Sequence, residues 1–390
     1  MKVLHVITGL GLGGAEAMLA KLISSSKRYR HVVVSLTDRG AMAQSIEASG
    51  GTVHALHVNR ASGLLGAPMR LALLVRQERP DVIQGWLNHG NLAAVGAKIL
   101  ARVPTPVAYN IRQSLLGLRF EKWETRQVIR LNARLSRRTA AIVYNSLTGA
   151  DDHEAIGYDP TKRRFVPNGF DPGEFFPSDE RRRRIRQELG IADDEVVVGL
   201  IARFHPWKNH RAFFDAASRI VSACPKARFL LAGKDMVPGN EELESIIPDS
   251  VLARCLLLGP RLDMSDLNRA LDVACNVSHG EGFPNTIGEA MASAVPCVVT
   301  DVSDMREIVG DTGRVCRPDD PQMIAEAILE LVNMEPAKRL ELGQSARARI
   351  SAKFSLQEIV SQYESIYDEL VAGNRIPRQA NTHGRIHESD

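Results

Sequence analysis

Residues 273–290, VACNVSHGEGFPNTIGEA, pass from a short apolar run through a glycine-rich turn into a segment of helical character. VACNVS is continuously apolar or small, as expected of a strand covered on both faces. Pro284 and Asn285 open the helix, because proline in a first turn forfeits no needed N–H. Strand, tight turn and helix in this order form one βα unit of a parallel sheet. Upstream the same unit repeats. VVVGLIARF (196–204) precedes a helix from Asn209 to Ala223, ARFLLAG (227–233) a helix near Glu241, and CLLLGP (255–260) a helix from Met264 to Leu271, while PCVVTD (296–301) follows downstream.

The first half alternates likewise: strand-like Val3–Ile7, Val32–Leu36 and Val53–Val58, with helix-like Ala15–Ile23 and Met42–Ala48 between them. The pattern breaks at VPNGFDPGEFFP (166–177), whose prolines and Asn168-Gly169 mark a connector. The fold class expected is α/β, with two Rossmann-like doubly wound parallel-sheet domains. Residues 1–170 form the first and 171–354 the second. Helical segments are expected at Pro321–Met334 and at 355–372, the latter apolar through Ile359, Val360, Tyr363, Ile366 and Tyr367. The polar tail 373–390 reads as disordered.

At 390 residues, two cores are the natural expectation. No run reaches the eighteen or so apolar residues of a membrane span, and the opening MKVLHVITGLGLGGAE reads as strand and glycine turn instead of a signal peptide. The five cysteines form no CxxC pair and read as reduced core thiols of a cytoplasmic protein. Charge divides unevenly. Residues 1–170 hold 23 Lys+Arg against 11 Asp+Glu, and the remainder 26 against 35. Much of the excess lies in Arg112–Arg138, where Arg119, Lys122, Arg126, Arg130, Arg134, Arg137 and Arg138 accompany Leu115, Leu116, Leu118, Phe120, Trp123, Val128, Ile129, Leu131 and Leu135. This stretch is either a helix with a solvated basic face or a patch for a membrane surface or anionic acceptor. No nucleic-acid motif accompanies it. RRRRIR (181–186) reads as a solvated helix face.

Gly9, Gly11 and Gly14 satisfy GxGxxG between a strand and a helix, where backbone and helix N-terminus can approach a phosphate. With Asp38 past the second strand, an NAD(P)-dependent oxidoreductase stays open. The second half carries the richer constellation. Ligands of open parallel sheets bind beyond the carboxyl ends of the strands, and there stand Arg203 and Lys208, Gly233, Gly259, and the turn from His279 to Glu281. Two cations in one loop can neutralise a departing diphosphate, and no Asp-x-Asp pair offers to hold a metal. In GEGFPNTIGEA, Pro284 and Asn285 start the helix, so the free backbone N–H groups near Phe283 to Thr286 can hold a phosphate, while Gly282 lets the backbone come close. Glu281 and Glu289 can reach different hydroxyl-bearing parts of one ligand.

Together these residues resemble the retaining glycosyltransferases of family 4, which have the GT-B fold. GGAE (13–16), PNGFD (167–171), Arg203, Lys208 and the E-x7-E pair Glu281 and Glu289 carry the likeness over nearly the whole chain. It implies transfer of a hexosyl or N-acetylhexosaminyl group from a nucleotide sugar, a UDP- or GDP-sugar, to an acceptor hydroxyl without cofactor or metal, in surface polysaccharide or glycolipid synthesis. Arg203 and Lys208 would hold the diphosphate, Glu281 the donor sugar and Glu289 the ribose. Gly259 and Arg261 would lie near the base, and Gly13-Gly14 near the phosphate and acceptor. The leaving phosphate would help deprotonate the acceptor. His89, in GWLNHGN, is the first domain's candidate for touching the sugar. Many members carry a further histidine after the next strand, where this chain reads VAYNIRQS, so Asn110 or Arg112 would substitute on the acceptor side. The last helix would cross back to brace the first domain. An acceptor borne by a lipid at the cytoplasmic membrane face fits the basic first half. A sugar-nucleotide epimerase on the same plan, or a non-catalytic sugar-nucleotide binding module, would share these features.

Overall fold

The computed structural model describes residues 1–58, 66–116, 118 and 122–375. Arg119 and Phe120 of the basic stretch, and residues 376–390 of the tail, lie outside the described residues.

Two all-parallel sheets carry the chain. The first has the order β3-β2-β1-β4-β5-β6-β7, with β1 Lys2–Ile7, β2 Arg30–Ser35, β3 Thr52–Ala55, β4 Val82–Trp86, β5 Val107–Ile111, β6 Ala141–Tyr144 and β7 Arg163–Phe165. The second has the order β10-β9-β8-β11-β12-β13, with β8 Val196–Ile201, β9 Ala227–Ala232, β10 Cys255–Leu257, β11 Val273–Asn276, β12 Cys297–Thr300 and β13 Gly313–Cys316. Helices cover both faces, which is why the central strands read as unbroken apolar runs. The order reverses between β1 and β4 in one sheet and between β8 and β11 in the other. At each reversal the flanking helices lie on opposite faces and leave a crevice beyond the carboxyl ends.

The chain crosses between domains twice at one point. The Phe170 amide donates to Phe354 O and the Leu356 amide to Phe170 O, both at 2.9 Å. The helix Leu356–Arg375 then lies against the first domain, burying Ile359, Val360, Tyr363, Ile366 and Tyr367 in the core of β1, β2 and β4. It therefore runs past residue 372 and takes in the first residues assigned to the tail. A helix absent from the expected set, Pro336–Lys353, fills the gap before it. Its Gly343 faces the Ala294 carbonyl, an approach that any side chain would block.

In RRRRIR, Arg181, Arg183 and Arg184 are exposed as expected, whereas Arg182 and Arg186 need correction. Arg182 and Arg186, one turn apart in the helix Asp179–Glu188, face inward and bond Asp272 at 2.9 and 3.2 Å. Arg339 reaches the same carboxylate at 3.4 Å. Only the spacing of a helix turn, combined with an acid 90 and 86 positions away, turns part of a surface-like run into a half-buried network. The cysteines are free thiols, with Cys275, Cys297 and Cys316 buried. Among the described residues no helix is long and apolar enough to cross a membrane.

Beneath the first switch point two histidines are buried as neutral bases. Trp86 Nε1 donates to His5 Nδ1 at 3.1 Å, so the His5 proton sits on Nε2 and is given to His31 Nδ1 at 2.9 Å. Burial holds His5 well below its ordinary pKa and lowers His31 to about 4. The unfolded chain binds protons that these rings refuse, so stability is complete above about pH 6.5 and declines as pH falls towards 4. For His31 alone the loss at pH 5 is roughly 2 kcal/mol. Melting curves at pH 7 and pH 5 are expected to show a clear drop in Tm at the lower pH, and equal values would contradict the assignment of neutral rings.

Candidate active site

The two switch points face each other across the domain cleft. Beyond β8 stands Arg203, exposed and without an ion pair among the described residues. Lys208 closes the 3-10 turn Pro206–Lys208, and its ammonium reaches Glu281 Oε1 at 2.5 Å. The same oxygen accepts from Ser278 Oγ at 2.6 Å and Asn276 Nδ2 at 3.0 Å. Burial pushes the Glu281 carboxyl up, but the Lys208 charge and these three donors outweigh it and hold the pKa below its ordinary value. The result is an anion fixed in place beside a cation, with one carboxylate oxygen, Oε2, outside this set of donors.

Gly282 and the helix Asn285–Ala292 follow. The first intrahelical bond runs from Gly288 N to Pro284 O at 3.3 Å, so the amides of Asn285, Thr286 and Ile287 precede it and form the donor end that suits a phosphate. Phe283 contributes only backbone, because its ring is buried between Phe170 at 6.1 Å and Phe354 at 5.4 Å. That packing fixes the loop to the hinge. Glu289, about one turn into this helix, is buried, and burial raises its pKa against the opposing charge of Lys21. Lys21 comes from the first domain's helix Gly14–Ser25 and meets Glu289 Oε1 at 3.5 Å. Gly233 and Gly259 shape the neighbouring loops: their φ values are +148° and +63°, and the Gly233 amide donates to Gly259 O at 2.8 Å. Arg261 is gripped by Asp263 in its own loop at 2.5 and 2.8 Å.

From the first domain, the glycine turn brings the Gly14 carbonyl to Asn285 Nδ2 at 3.4 Å. Gly13 lies against the Glu16 carboxylate, which burial raises from its ordinary pKa. Asp38 bonds His57 Nδ1 at 2.8 Å. His89 is exposed in the first turn of Leu87–Ala101, beyond β4 at the switch point. Asn110 and Arg112 are placed differently from the open acceptor side. Asn110 is fully buried, bonded through its amide nitrogen to Tyr363 OH at 2.9 Å. Arg112 donates to the same hydroxyl at 3.0 Å and lies over the Trp86 ring at 5.4 Å. Both side chains serve to lock the crossing helix, and what Arg112 offers the cleft is its backbone, packed against Gly282.

Four contributors escaped the sequence reading. Lys21, Asn276 and Ser278 act only through partners brought near by folding. Asn168, visible in PNGFD, takes the Arg112 guanidinium on its oxygen and gives its amide to Asn285 Oδ1, so it joins the two halves. Among the described residues no group of three or more His, Cys, Asp or Glu converges as a metal cluster.

A family model described as "Glycosyl transferase 4-like domain" matches residues 13–169, and one described as "Glycosyl transferases group 1" matches residues 195–334. Between them they take in Arg203, Lys208, the loop from Glu281 to Glu289, Gly13-Gly14 and His89. The chain belongs to the family 4 glycosyltransferases. This glycosyltransferase is similar to the putative glycosyltransferase EpsF of Bacillus subtilis (strain 168), 25% identical in a match 378 residues long that covers 93% of this chain and 97% of EpsF. It is 27% identical over 218 residues to the UDP-Gal:alpha-D-GlcNAc-diphosphoundecaprenol alpha-1,3-galactosyltransferase of Escherichia coli, a match spanning 55% of this chain and 56% of that one. Among solved structures, HepE of Anabaena in complex with UDP-glucose aligns with a TM-score of 0.83 at 23% identity, over 95% of this chain and 100% of that chain. The GT-B fold of the glycosyltransferase follows from this likeness and from its two facing parallel sheets.

Proposed function

We propose that the protein transfers a hexosyl or N-acetylhexosaminyl group from a UDP- or GDP-sugar to an acceptor hydroxyl, with retention at the anomeric carbon and without a metal. One observation carries this reading: Arg203, Lys208 and a helix N-terminus converge with two spaced carboxylates on a cleft lined by the switch points of both sheets. Arg203 and Lys208 neutralise the diphosphate as it departs, the role a divalent ion would otherwise fill. Glu281 orients sugar hydroxyls through Oε2, and Glu289 takes the ribose. The leaving phosphate oxygen receives the acceptor proton on the same face as the acceptor oxygen attacks, so the C1–O bond to phosphate breaks as the new bond forms there with the configuration of the old. His89 reaches the sugar from the opposite wall. The acceptor is a lipid-linked sugar of surface polysaccharide or glycolipid assembly, presented at the inner membrane face; the Escherichia coli relative's diphosphoundecaprenol acceptor supports this class.

The test is incubation with UDP-glucose and with GDP-sugars, followed by NMR of the products. Free nucleoside diphosphate and an α-linked product, undiminished by EDTA, are expected. An isomerised sugar nucleotide would indicate an epimerase instead, and NAD(P) binding by calorimetry with no sugar-nucleotide binding would indicate an oxidoreductase.

A further inference from the structure

The helix Trp123–Leu135 buries Ile129, Asn132 and Ala133 and turns a charged stripe outward. Trp123 is 69% exposed, Leu131 42% and Leu116, just before the helix, 48%. Trp123, Arg130 and Arg134 are seven and eleven residues apart, two and three turns, and so fall in one line. Arg137 and Arg138 extend the stripe in the 3-10 turn Ser136–Arg138. All four of these arginines are exposed and lack ion pairs among the described residues. Between Lys122 and Arg138 there are six Lys or Arg and a single acid, Glu124. A solvated basic face would have no need of a tryptophan in water, since this side chain is highly buried on average in folded domains. Exposed tryptophan beside cations is the composition that sits at a bilayer interface.

Position matters as much as composition. The helix returns antiparallel to β5, so its first turn, with Trp123, lies at the cleft edge. The loop leading to it sets the Arg112 carbonyl against Gly282 and Leu116 Cβ 3.0 Å from where a Cβ on Gly280 would stand. The stripe therefore starts at the carboxyl end of the sheet, the side on which the cleft opens, and runs away from it along the first domain.

We propose that this stripe is the docking surface for an anionic lipid bilayer, holding the cleft mouth at the membrane so that an acceptor anchored there meets the donor loop. It rests on the transferase reading above and assigns the surface through which the acceptor arrives. The test is flotation of the full chain with phosphatidylcholine vesicles, with and without about one-third phosphatidylglycerol. Binding only to the anionic vesicles is expected, weakened by 0.5 M salt and accompanied by a blue shift of tryptophan fluorescence that Trp123→Phe removes. At about fivefold per cation, Arg130→Gln/Arg134→Gln/Arg137→Gln should bind roughly a hundredfold more weakly. That variant should keep wild-type stabilisation by UDP-glucose in thermal shift. Equal binding to both vesicle types, binding to neither, unchanged binding of the triple variant, or retention by heparin without vesicle binding would each overturn the proposal. Loss of the UDP-glucose shift in the wild type, with vesicle binding intact, would count against the donor reading alone.

Discussion

Lys208→Ala is expected to lower kcat by about two to three orders of magnitude, the usual effect of removing one preorganised donor from a site where charge develops. The geometry makes the loss double. Lys208 supplies positive charge to the donor diphosphate and also pins Glu281 at 2.5 Å. Without it, Glu281 keeps Ser278 and Asn276, but burial then dominates and its pKa rises. In the wild type the depressed carboxyl stabilises the fold fully above its ordinary value of 4.5, and the contribution is lost as pH falls through the lowered pKa. In the variant the sign reverses: with the pKa above its ordinary value, the buried carboxylate destabilises the fold as pH rises past 4.5, and up to about 3 kcal/mol of stability is missing at neutrality. Arg203→Ala provides the contrast. Its side chain is exposed and unpaired among the described residues, so stability should move by no more than about 0.5 kcal/mol, while turnover falls as steeply. Steady-state release of nucleoside diphosphate and thermal melts of both variants decide the matter; near-normal turnover in both would remove the cations from the mechanism.

Gly282→Ala should reduce kcat/KM by about a hundredfold, although it deletes no functional group. A methyl at this position would press on the backbone carbonyl of Arg112 across the cleft. A backbone cannot rotate away as a long side chain would, and Arg112 is held by Tyr363 and Asn168. The domains must therefore part, carrying the Gly14 carbonyl from Asn285 and Lys21 from Glu289. Each domain keeps its own core, so melting should change little while small-angle scattering shows a larger radius of gyration than in the wild type. A closed, fully active variant would mean that this approach is dispensable.

How much of this was legible beforehand follows from the range over which each interaction acts. Alternation of apolar runs with periodic segments depends on near neighbours, and it located both sheets and the connector at Val166–Pro177. The loop Gly280–Ala290 was equally readable, because proline, glycine and two acids eight apart constrain a turn and a helix start locally. Side chains whose meaning depends on a distant partner were not. Arg182 and Arg186 look solvated until Asp272 is placed under them, and Asn110 and Arg112 look available until Tyr363 crosses over them.

The sequence by itself determined the class of fold, the order of its units and the loops that bear the cations and carboxylates, because these follow from local periodicity and turn chemistry. Only the tertiary structure decided which charges are free and which are occupied. Lys208 is committed to Glu281, Lys21 reaches Glu289 from the other domain, and Arg203 remains unpaired among the described residues. The reason is that Coulomb and hydrogen-bond partners are chosen by distance in space, over separations such as the 268 residues between Lys21 and Glu289, which no local pattern records.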